Sequence, residues 1–249
     1  MRISKSGALT IILVVAIGTG ILVAKNPYRT EAQGKTVVPV DISNPVKQGS
    51  TPLQTNNPTD IVNEIVSGSS FLVQASSNPY DYIKNNDYYK QLVKMGPDAL
   101  PLLEDSIVQS KSNGLNEYIL AIAIEDIAKV NLKTYEGKKF GWETARGFVT
   151  EWDKHLKNIP ETVKSIQSSS ASKKDKIDAL VQLGVPAVPF ITDSIEQGNQ
   201  ECAGALAVLL KDNTKVSFST NDLPNSKEWV QKNKSQFAQL RAYVESKNK

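Results

Sequence analysis

The chain has 249 residues, of which 40% are hydrophobic and 22% charged, a composition that supports a packed core and argues against disorder along the whole chain. A single histidine, His155, excludes a metal site built from several histidines, and a single cysteine, Cys202, excludes an intrachain disulfide and a cysteine-rich zinc site. The net charge of +3 comes entirely from residues 1–34 and the remaining charges balance, so we expect no nucleic-acid partner.

The first element in chain order is an uncharged segment at residues 7–24, with the sequence GALTIILVVAIGTGILVA. A helix of this length measures about 27 Å, close to the roughly 30 Å hydrocarbon core of a bilayer. Arg2 and Lys5 precede it, and no good cleavage pattern of small residues follows. We therefore expect residues 1–25 to form an uncleaved transmembrane signal anchor of a bacterial cell, with the chain after it outside the cytoplasm. The alternative is a cleaved signal peptide and a secreted domain.

Residues 26–58 follow as a polar segment with prolines at positions 27, 39, 45, 52 and 58. Each proline removes a backbone donor and biases its predecessor toward extended conformations. The segment is therefore predicted to be a linker. A flexible coil of about 30 residues separates its ends by roughly 30 Å on average.

Residues 59–249 carry the spacing of amphipathic helices. Leu100, Leu103 and Ile107 lie on one predicted helical face. Further helices are predicted over residues 115–128 and 141–157, and the second contains the aromatic pair Phe148 and Trp152. Because no segment alternates apolar and polar residues as strands do, the sequence predicts an all-α domain.

An internal repeat is the strongest pattern in the sequence. Residues 92–107 read LVKMGPDALPLLEDSI and residues 180–195 read LVQLGVPAVPFITDSI, with eight of sixteen positions identical at an offset of 88. An alanine-rich block follows each copy, at residues 121–124 and 205–208, and then an aromatic–valine pair, at 148–149 and 229–230. The offset falls to 84 and then 81, which we interpret as shorter loops in the second copy.

The pattern L-x-x-L-G-x-x-A-V-P-x-I over residues 180–191 resembles the first helix of a HEAT-like repeat, and residues 92–103 are a second copy with Met95 in place of leucine. The resemblance covers roughly residues 79–211 and extends weakly to 245. It implies an α-solenoid or stacked helical hairpins, a scaffold used mainly for binding proteins. Two large repeats would span about residues 79–160 and 161–245, and each is expected to hold two helical pairs because the usual unit has about 40 residues.

Four tyrosines near the start of the first repeat are the candidate partner-binding residues: Tyr80, Tyr82, Tyr88 and Tyr89. Aromatic side chains are enriched at the energetic centres of protein interfaces. The alternative is that these side chains cover the end of the first helical pair and carry no binding role.

The sequence favours structural roles for the other side chains that could be reactive. His155 has no accompanying nucleophile motif and is interpreted as part of a solvated helix end, while Cys202 is expected to be a small buried apolar residue. Asp105 and Asp193 recur before serine in the two copies, and paired carboxylates can hydrolyse a glycoside or bind a cation. A residue that recurs in both copies of a solenoid repeat more often has the same structural role in each copy than a catalytic or cation-binding role. The sequence therefore assigns no catalytic, cofactor-binding or metal-binding residue.

These features together predict a membrane-anchored, extracytoplasmic, non-enzymatic helical-repeat protein that binds another protein or a component of the cell envelope. One alternative is a cell-envelope hydrolase that uses acidic residues, and another is a sensory ectodomain for a small ligand. A pocket with converging carboxylates would favour the hydrolase, and a concave groove would favour the binding protein.

Overall fold

Every regular element in the part of the chain that the structure describes is helical, as the sequence predicted. The structure, a computed structural model, describes residues 57–133, 141–213 and 215–249, and no strand occurs among them. The α-helices in these ranges are α1 (Pro58–Ser67), α2 (Phe71–Gln74), α3 (Pro79–Ile83), α4 (Asp87–Lys94), α5 (Leu100–Gln109), α6 (Leu115–Ala128), α7 (Ala145–Ser168), α8 (Lys173–Gln182), α9 (Val188–Glu196), α10 (Ala203–Leu209), α11 (Ser226–Asn233) and α12 (Ala238–Ser246).

The predicted membrane segment at residues 7–24 and the linker up to residue 56 lie outside the described residues. Within the described ranges, no helix combines the length and the apolar character that a bilayer crossing requires. The membrane anchor and the location of the domain therefore stay predictions.

Asparagines cap three of the first four helices of the described chain, α1, α3 and α4. The side-chain oxygen of Asn57 accepts a hydrogen bond from the backbone N–H of Thr59 at 3.1 Å, and Asn78 and Asn86 cap α3 and α4 in the same manner. A side-chain acceptor satisfies one of the backbone N–H groups that a helix start leaves unpaired. Pro58 occupies the first turn of α1, where its missing N–H costs nothing. Helix α1 thus begins slightly before the predicted start at Thr59 or Asp60.

The two copies of the internal repeat share one backbone conformation at their glycines. Gly96 has φ 72° and ψ −172°, and Gly184 has φ 75° and ψ −173°. Each glycine links a helix to a short 3₁₀ turn, Pro97–Ala99 or Val185–Ala187, which leads directly into the next helix. This region of φ and ψ is essentially restricted to glycine. The identity of the glycine in both copies therefore has a local physical cause.

The falling offset between the copies reflects a shorter α-helix as well as the shorter loops that the sequence suggested, since residues 110–114 precede α6 but only residues 197–199 precede the 3₁₀ turn that leads into α10. Ala121 is the seventh residue of α6, whereas Ala205 is the third residue of α10. The alanine-rich block consequently lies about one turn closer to the start of its helix in the second copy. Helix α6 has the predicted bounds, 115–128, and is twice as long as α10, with 14 residues against 7.

Helix α7 is longer than predicted and crosses the proposed boundary between the repeats at residues 160 and 161. It begins after Thr144, whose hydroxyl accepts a hydrogen bond from the Gly147 N–H at 3.1 Å, and it continues through Pro160 to Ser168. A proline removes one backbone donor from a helix. Because Ile159 on one side of it is fully buried in the core, the tertiary contacts hold the helix together across this position.

The core is one continuous apolar cluster centred on α7. This helix packs against α5, α6, α8, α9 and α12. Its Phe148 and Trp152 are fully buried, and their rings stack with centroids 6.0 Å apart. The predicted apolar face of α5 is also fully buried, as is Cys202. The sequence therefore identified the central core residues correctly.

Candidate binding cleft beside the Gly96 turn

An open cleft of about 220 Å³ lies where the turn at Gly96 meets the ends of α6 and α10. Its walls come from four separate parts of the chain, namely the end of α4 with the glycine turn, the end of α6, the start of the second 3₁₀ turn, and the segment after α10. The lining residues are Val93, Lys94, Met95, Gly96, Pro97, Asp126, Ile127, Lys129, Val185, Leu209, Asp212, Asn213 and Lys215.

The floor of the cleft is apolar. Ile127, Val185 and Leu209 are buried, and Val93 and Met95 are half-buried, so they close the sides of the cleft while remaining accessible. Clefts with an apolar floor and a few polar groups at the edge are the common form of a binding site. The arrangement is suited to an apolar side chain of a partner.

Met95 is the position at which the first copy departs from the repeated leucine. In the second copy Leu183 is buried, and its backbone oxygen is bonded to His155 of α7. Met95 instead faces the cleft and is half-buried. Methionine is flexible and polarizable, and it is used at binding surfaces that adapt to their partners. This substitution in the repeat pattern thus marks the side of the cleft.

Charged side chains of both signs surround the cleft. Lys129 lies 3.7 Å from Asp212 across its edge, and Lys94 is exposed. Asp126 is exposed as well, and its Oδ2 accepts a hydrogen bond from the hydroxyl of Tyr89 at 2.5 Å. Because positive and negative groups alternate, the edge fits a polypeptide with mixed charges better than a phosphate-rich ligand.

A second, larger depression of about 530 Å³ adjoins the cleft and shares Pro97, Asn213 and Lys215 with it. An ion pair between Lys215 and Asp98 bridges the segment after α10 and the first 3₁₀ turn at this boundary. The far side of the depression is formed by residues 235–240, which lead into α12. The two depressions together provide a longer surface than the cleft alone.

Burial removes two of the four predicted tyrosines from a partner surface. The side chain of Tyr82 is 5% exposed and its hydroxyl donates to the backbone oxygens of Gln74 and Ser76 at 3.1 and 3.3 Å. Tyr89 is 8% exposed, and burial raises its pKa above the ordinary value, with the hydrogen bond to Asp126 as a further cause. Both are core residues, and Tyr89 orients a residue of the cleft edge.

The other two tyrosines are more accessible. Tyr88 is half-buried and Tyr80 is 46% exposed. The ammonium group of Lys133 lies 4.2 Å from the ring centroid of Trp142 and 4.7 Å from that of Tyr118, and Tyr80 adds a third ring at 5.4 Å. A cation over aromatic faces is electrostatically attracted to them. Tyr80 is thus fixed at the edge of a cation–aromatic cluster, and partner binding by Tyr80 and Tyr88 stays a prediction.

The structure brings together one pair of carboxylates that the sequence did not indicate. Lys247 lies 2.7 Å from an oxygen of Glu104 and 2.8 Å from one of Asp153. Tyr243 donates a hydrogen bond to Glu104 at 2.5 Å and accepts one from the Trp152 indole at 2.7 Å. Burial raises the pKa of Glu104, although its bonds to Lys247 and Tyr243 oppose this effect. Since its oxygens are occupied by internal donors, Glu104 joins α5 to α12 rather than facing a pocket.

The remaining buried acids are also bonded within the protein. Glu125 accepts hydrogen bonds from the backbone N–H of Leu132 at 2.7 Å and from the Trp142 indole at 3.2 Å. Glu117 accepts bonds from two serine hydroxyls and from the backbone N–H of Gly114. In the described ranges, no group of three or more histidine, cysteine, aspartate or glutamate side chains is placed to hold a metal ion. These contacts do not favour the hydrolase alternative.

His155 and Asp193 have structural contacts, whereas Asp105 is exposed. His155 is largely buried within α7, so its interpretation as part of a solvated helix end is wrong, and burial lowers its pKa. Its ring nitrogen lies 3.0 Å from the Leu183 oxygen, a distance that suits donation by the neutral ring. Asp193 pairs with Arg241 at 2.8 Å, whereas Asp105 is exposed on α5.

Comparison of the chain with protein-family models, curated proteins and solved structures finds no match. The resemblance to HEAT-like repeats therefore depends on the chain's own residues alone.

Proposed function

We propose that the chain is a membrane-anchored, extracytoplasmic helical-repeat protein that binds another protein, with the cleft beside the Gly96 turn as the contact site. In this proposal α4–α5 and α8–α9 are the glycine-linked helices of two HEAT-like repeats. Residues 7–24 form the anchor and residues 26–56 the linker. The function is binding and not catalysis.

The observation that carries the proposal is the half-buried Met95 above an apolar floor. A partner side chain that enters the cleft would bury apolar surface against Met95, Ile127 and Leu209 while the charged edge contacts the partner's backbone and polar groups. Such a central apolar pocket with a polar rim is the usual layout of the energetically dominant part of a protein interface.

The size of the cleft favours one side chain over an entire small molecule. Its volume of about 220 Å³ is smaller than the roughly 300–1,000 Å³ of typical ligand pockets. The adjoining depression at Lys215 provides room for the rest of a partner segment. The comparison concerns the cleft alone, since the adjoining depression of about 530 Å³ lies within the range of ligand pockets.

Site-specific photocrosslinking in intact cells tests the contact site. A photoreactive amino acid replaces Met95 in one full-length variant and Val208 in a matched control, because Val208 is 50% exposed on α10 and does not line the cleft. We expect a discrete adduct from position 95 and none of the same mass from position 208. Equal adducts from both positions, or none from position 95, would contradict the proposed site.

Protease treatment of intact protoplasts tests the anchor and its orientation. The proposal places residues 57–249 outside the cytoplasm and joined to the membrane fraction, so added protease should remove the domain before lysis. A domain that survives until the cells are lysed would be inside the cytoplasm. A domain recovered in the culture medium would indicate cleavage of the N-terminal segment.

A further inference from the structure

The two most exposed large apolar side chains of the described chain are adjacent. Phe71 is 83% and Leu72 81% exposed at the start of α2, directly after α1 and its short connection. Neither is buried against the core, although the next residue, Val73, packs onto it. Two neighbouring apolar side chains in water are costly unless something else covers them.

The exposure of this pair is fixed by the fold. The Gln74 amide donates to the backbone oxygens of Ser69 and Ser67 at 3.0 and 3.3 Å, and the Gln74 backbone oxygen accepts from the buried Tyr82 hydroxyl at 3.1 Å. These bonds close the turn on both sides, and Val73 attaches it to the core. Phe71 and Leu72 are therefore presented on an ordered turn.

The stretch of sequence that carries the pair contains no charged residue. No charged residue occurs between Glu64 and Asp81, whereas charged residues make up 22% of the chain. The other polar side chains of this stretch are serine, asparagine and glutamine, apart from Tyr80 at its end. Charged side chains are costly near hydrocarbon, while uncharged polar groups and tyrosine suit the interface between lipid and water. The composition favours a bilayer over the charged rim of a protein partner.

The position of the pair relative to the linker also favours a membrane. The linker ends where α1 begins; α1 has ten residues and is about 15 Å long, and three residues separate its end from Phe71. A coil of about 30 residues spans roughly 30 Å on average, which allows the domain to reach the surface of the membrane that anchors it. A tether of this kind raises the effective concentration to about the millimolar range, so that weak insertion suffices.

We infer that Phe71 and Leu72 insert into the lipid–water interface of the membrane that carries the anchor, and thereby hold the domain against it. The occupant is the bilayer, and no protein is required. This inference depends on the membrane anchor of the proposed function.

Fluorescence of the full chain in lipid vesicles tests the inference. Cys202 is fully buried, so an environment-sensitive dye can be attached selectively to a Leu72→Cys variant and to a Val208→Cys control. The vesicles contain phosphatidylcholine alone or with phosphatidylglycerol, and spin-labelled lipids act as quenchers. The dye at position 72 should shift to the blue and be quenched most by labels about 5–10 Å below the headgroups. The dye at position 208 should stay as in water.

The possible outcomes distinguish a failure of the membrane anchor from a failure of the proposed insertion. If the chain does not float with the vesicles, the anchor and the insertion both fail. If it floats and the dye at position 72 behaves like the dye at position 208, only the insertion is overturned. A blue shift that requires an added partner protein would assign the pair to a protein contact and overturn it as well. Adding Phe71→Ser must weaken the quenching at position 72, because unchanged quenching would show that the dye inserts by itself.

Discussion

The α-carbon of Gly184 lies so close to the backbone oxygen of Ala128 that a Cβ at this position would be 2.4 Å from that oxygen. The second glycine turn therefore packs directly against the end of α6, which belongs to the first copy of the repeat. The same construction gives 4.0 Å as the nearest contact of a Cβ on Gly96. The two glycines share a backbone conformation. Only at Gly184 does the absence of a side chain also allow the two copies of the repeat to pack closely.

Alanine at these two positions separates conformation from packing. Gly96→Ala should lower the free energy of unfolding by about 1–2 kcal/mol, since a side chain is strained at positive φ. Gly184→Ala should cost at least about 1 kcal/mol more, because the overpacking against Ala128 adds to the same strain. Urea unfolding of both variants measures the difference. Equal losses would show that the contact with α6 relaxes freely.

The glycine turns could be predicted from sequence because their requirement is local. A φ near 75° combined with a ψ near −173° is essentially restricted to glycine, and the repeat contains this conformation twice. The burial of Tyr82 and Tyr89 could not be predicted, because a tyrosine has an apolar ring and a polar tip, and the bond from Tyr89 goes to Asp126 on another helix. Tertiary packing decides whether the apolar ring of a tyrosine is buried or its polar hydroxyl keeps the side chain at the surface.

The cleft itself was also beyond sequence reasoning, since its walls come from four separate segments. Met95 in place of leucine was the one available signal, and it acquires meaning only when the equivalent Leu183 is seen to be buried. Helix α7 was underestimated for a related reason: buried contacts carry it past Pro160 to Ser168.

Tyrosine substitutions test the reassignment of the aromatic cluster. Tyr82→Ala should destabilise the domain by about 3–5 kcal/mol, the range for removing a large buried aromatic side chain. Tyr80→Ala should cost less than about 1.5 kcal/mol, because the side chain is 46% exposed and its main interaction is with Lys133. Thermal melts of the two variants compare them. A loss at Tyr80 as large as at Tyr82 would place Tyr80 in the core.

The contact between Lys247 and Glu104 can be tested by a double-mutant cycle. Lys247→Met leaves the carboxylate of Glu104, which is 4% exposed, without its cation, and this should destabilise the protein by about 3 kcal/mol. In the Glu104→Gln background the same change should cost less, since the carboxylate that then loses its cation is Asp153, whose side chain is 47% exposed. Identical costs in both backgrounds would mean that the ion pair does not fix α12.

Glu117 predicts a specific dependence of stability on acid. Burial alone would raise its pKa, but the hydrogen bonds from Ser110, Ser112 and the Gly114 N–H lower it to about 2 from an ordinary value of 4.5. A folded pKa below the unfolded one stabilises the fold above about pH 4.5, and this contribution is lost as the pH falls toward 2.

Replacing Glu117 by glutamine should therefore lower the melting temperature at neutral pH, and the difference from the wild type should shrink between pH 4.5 and 2. The exposed Glu161, paired only with Lys164 on the same helix, gives the control variant Glu161→Gln, which should follow the wild type. A constant difference across the acid range would contradict the role assigned to the charge of Glu117.

The affinity of the partner captured at Met95 is the most direct test of the proposed function. Titration calorimetry compares the wild type with Met95→Ala and with the control Val208→Ala, after melts confirm that both variants are folded. We predict that Met95→Ala weakens binding at least about tenfold, the effect of losing a central interface contact, and that Val208→Ala leaves the affinity unchanged. Equal affinities for all three proteins would contradict the assignment of the cleft as the binding site.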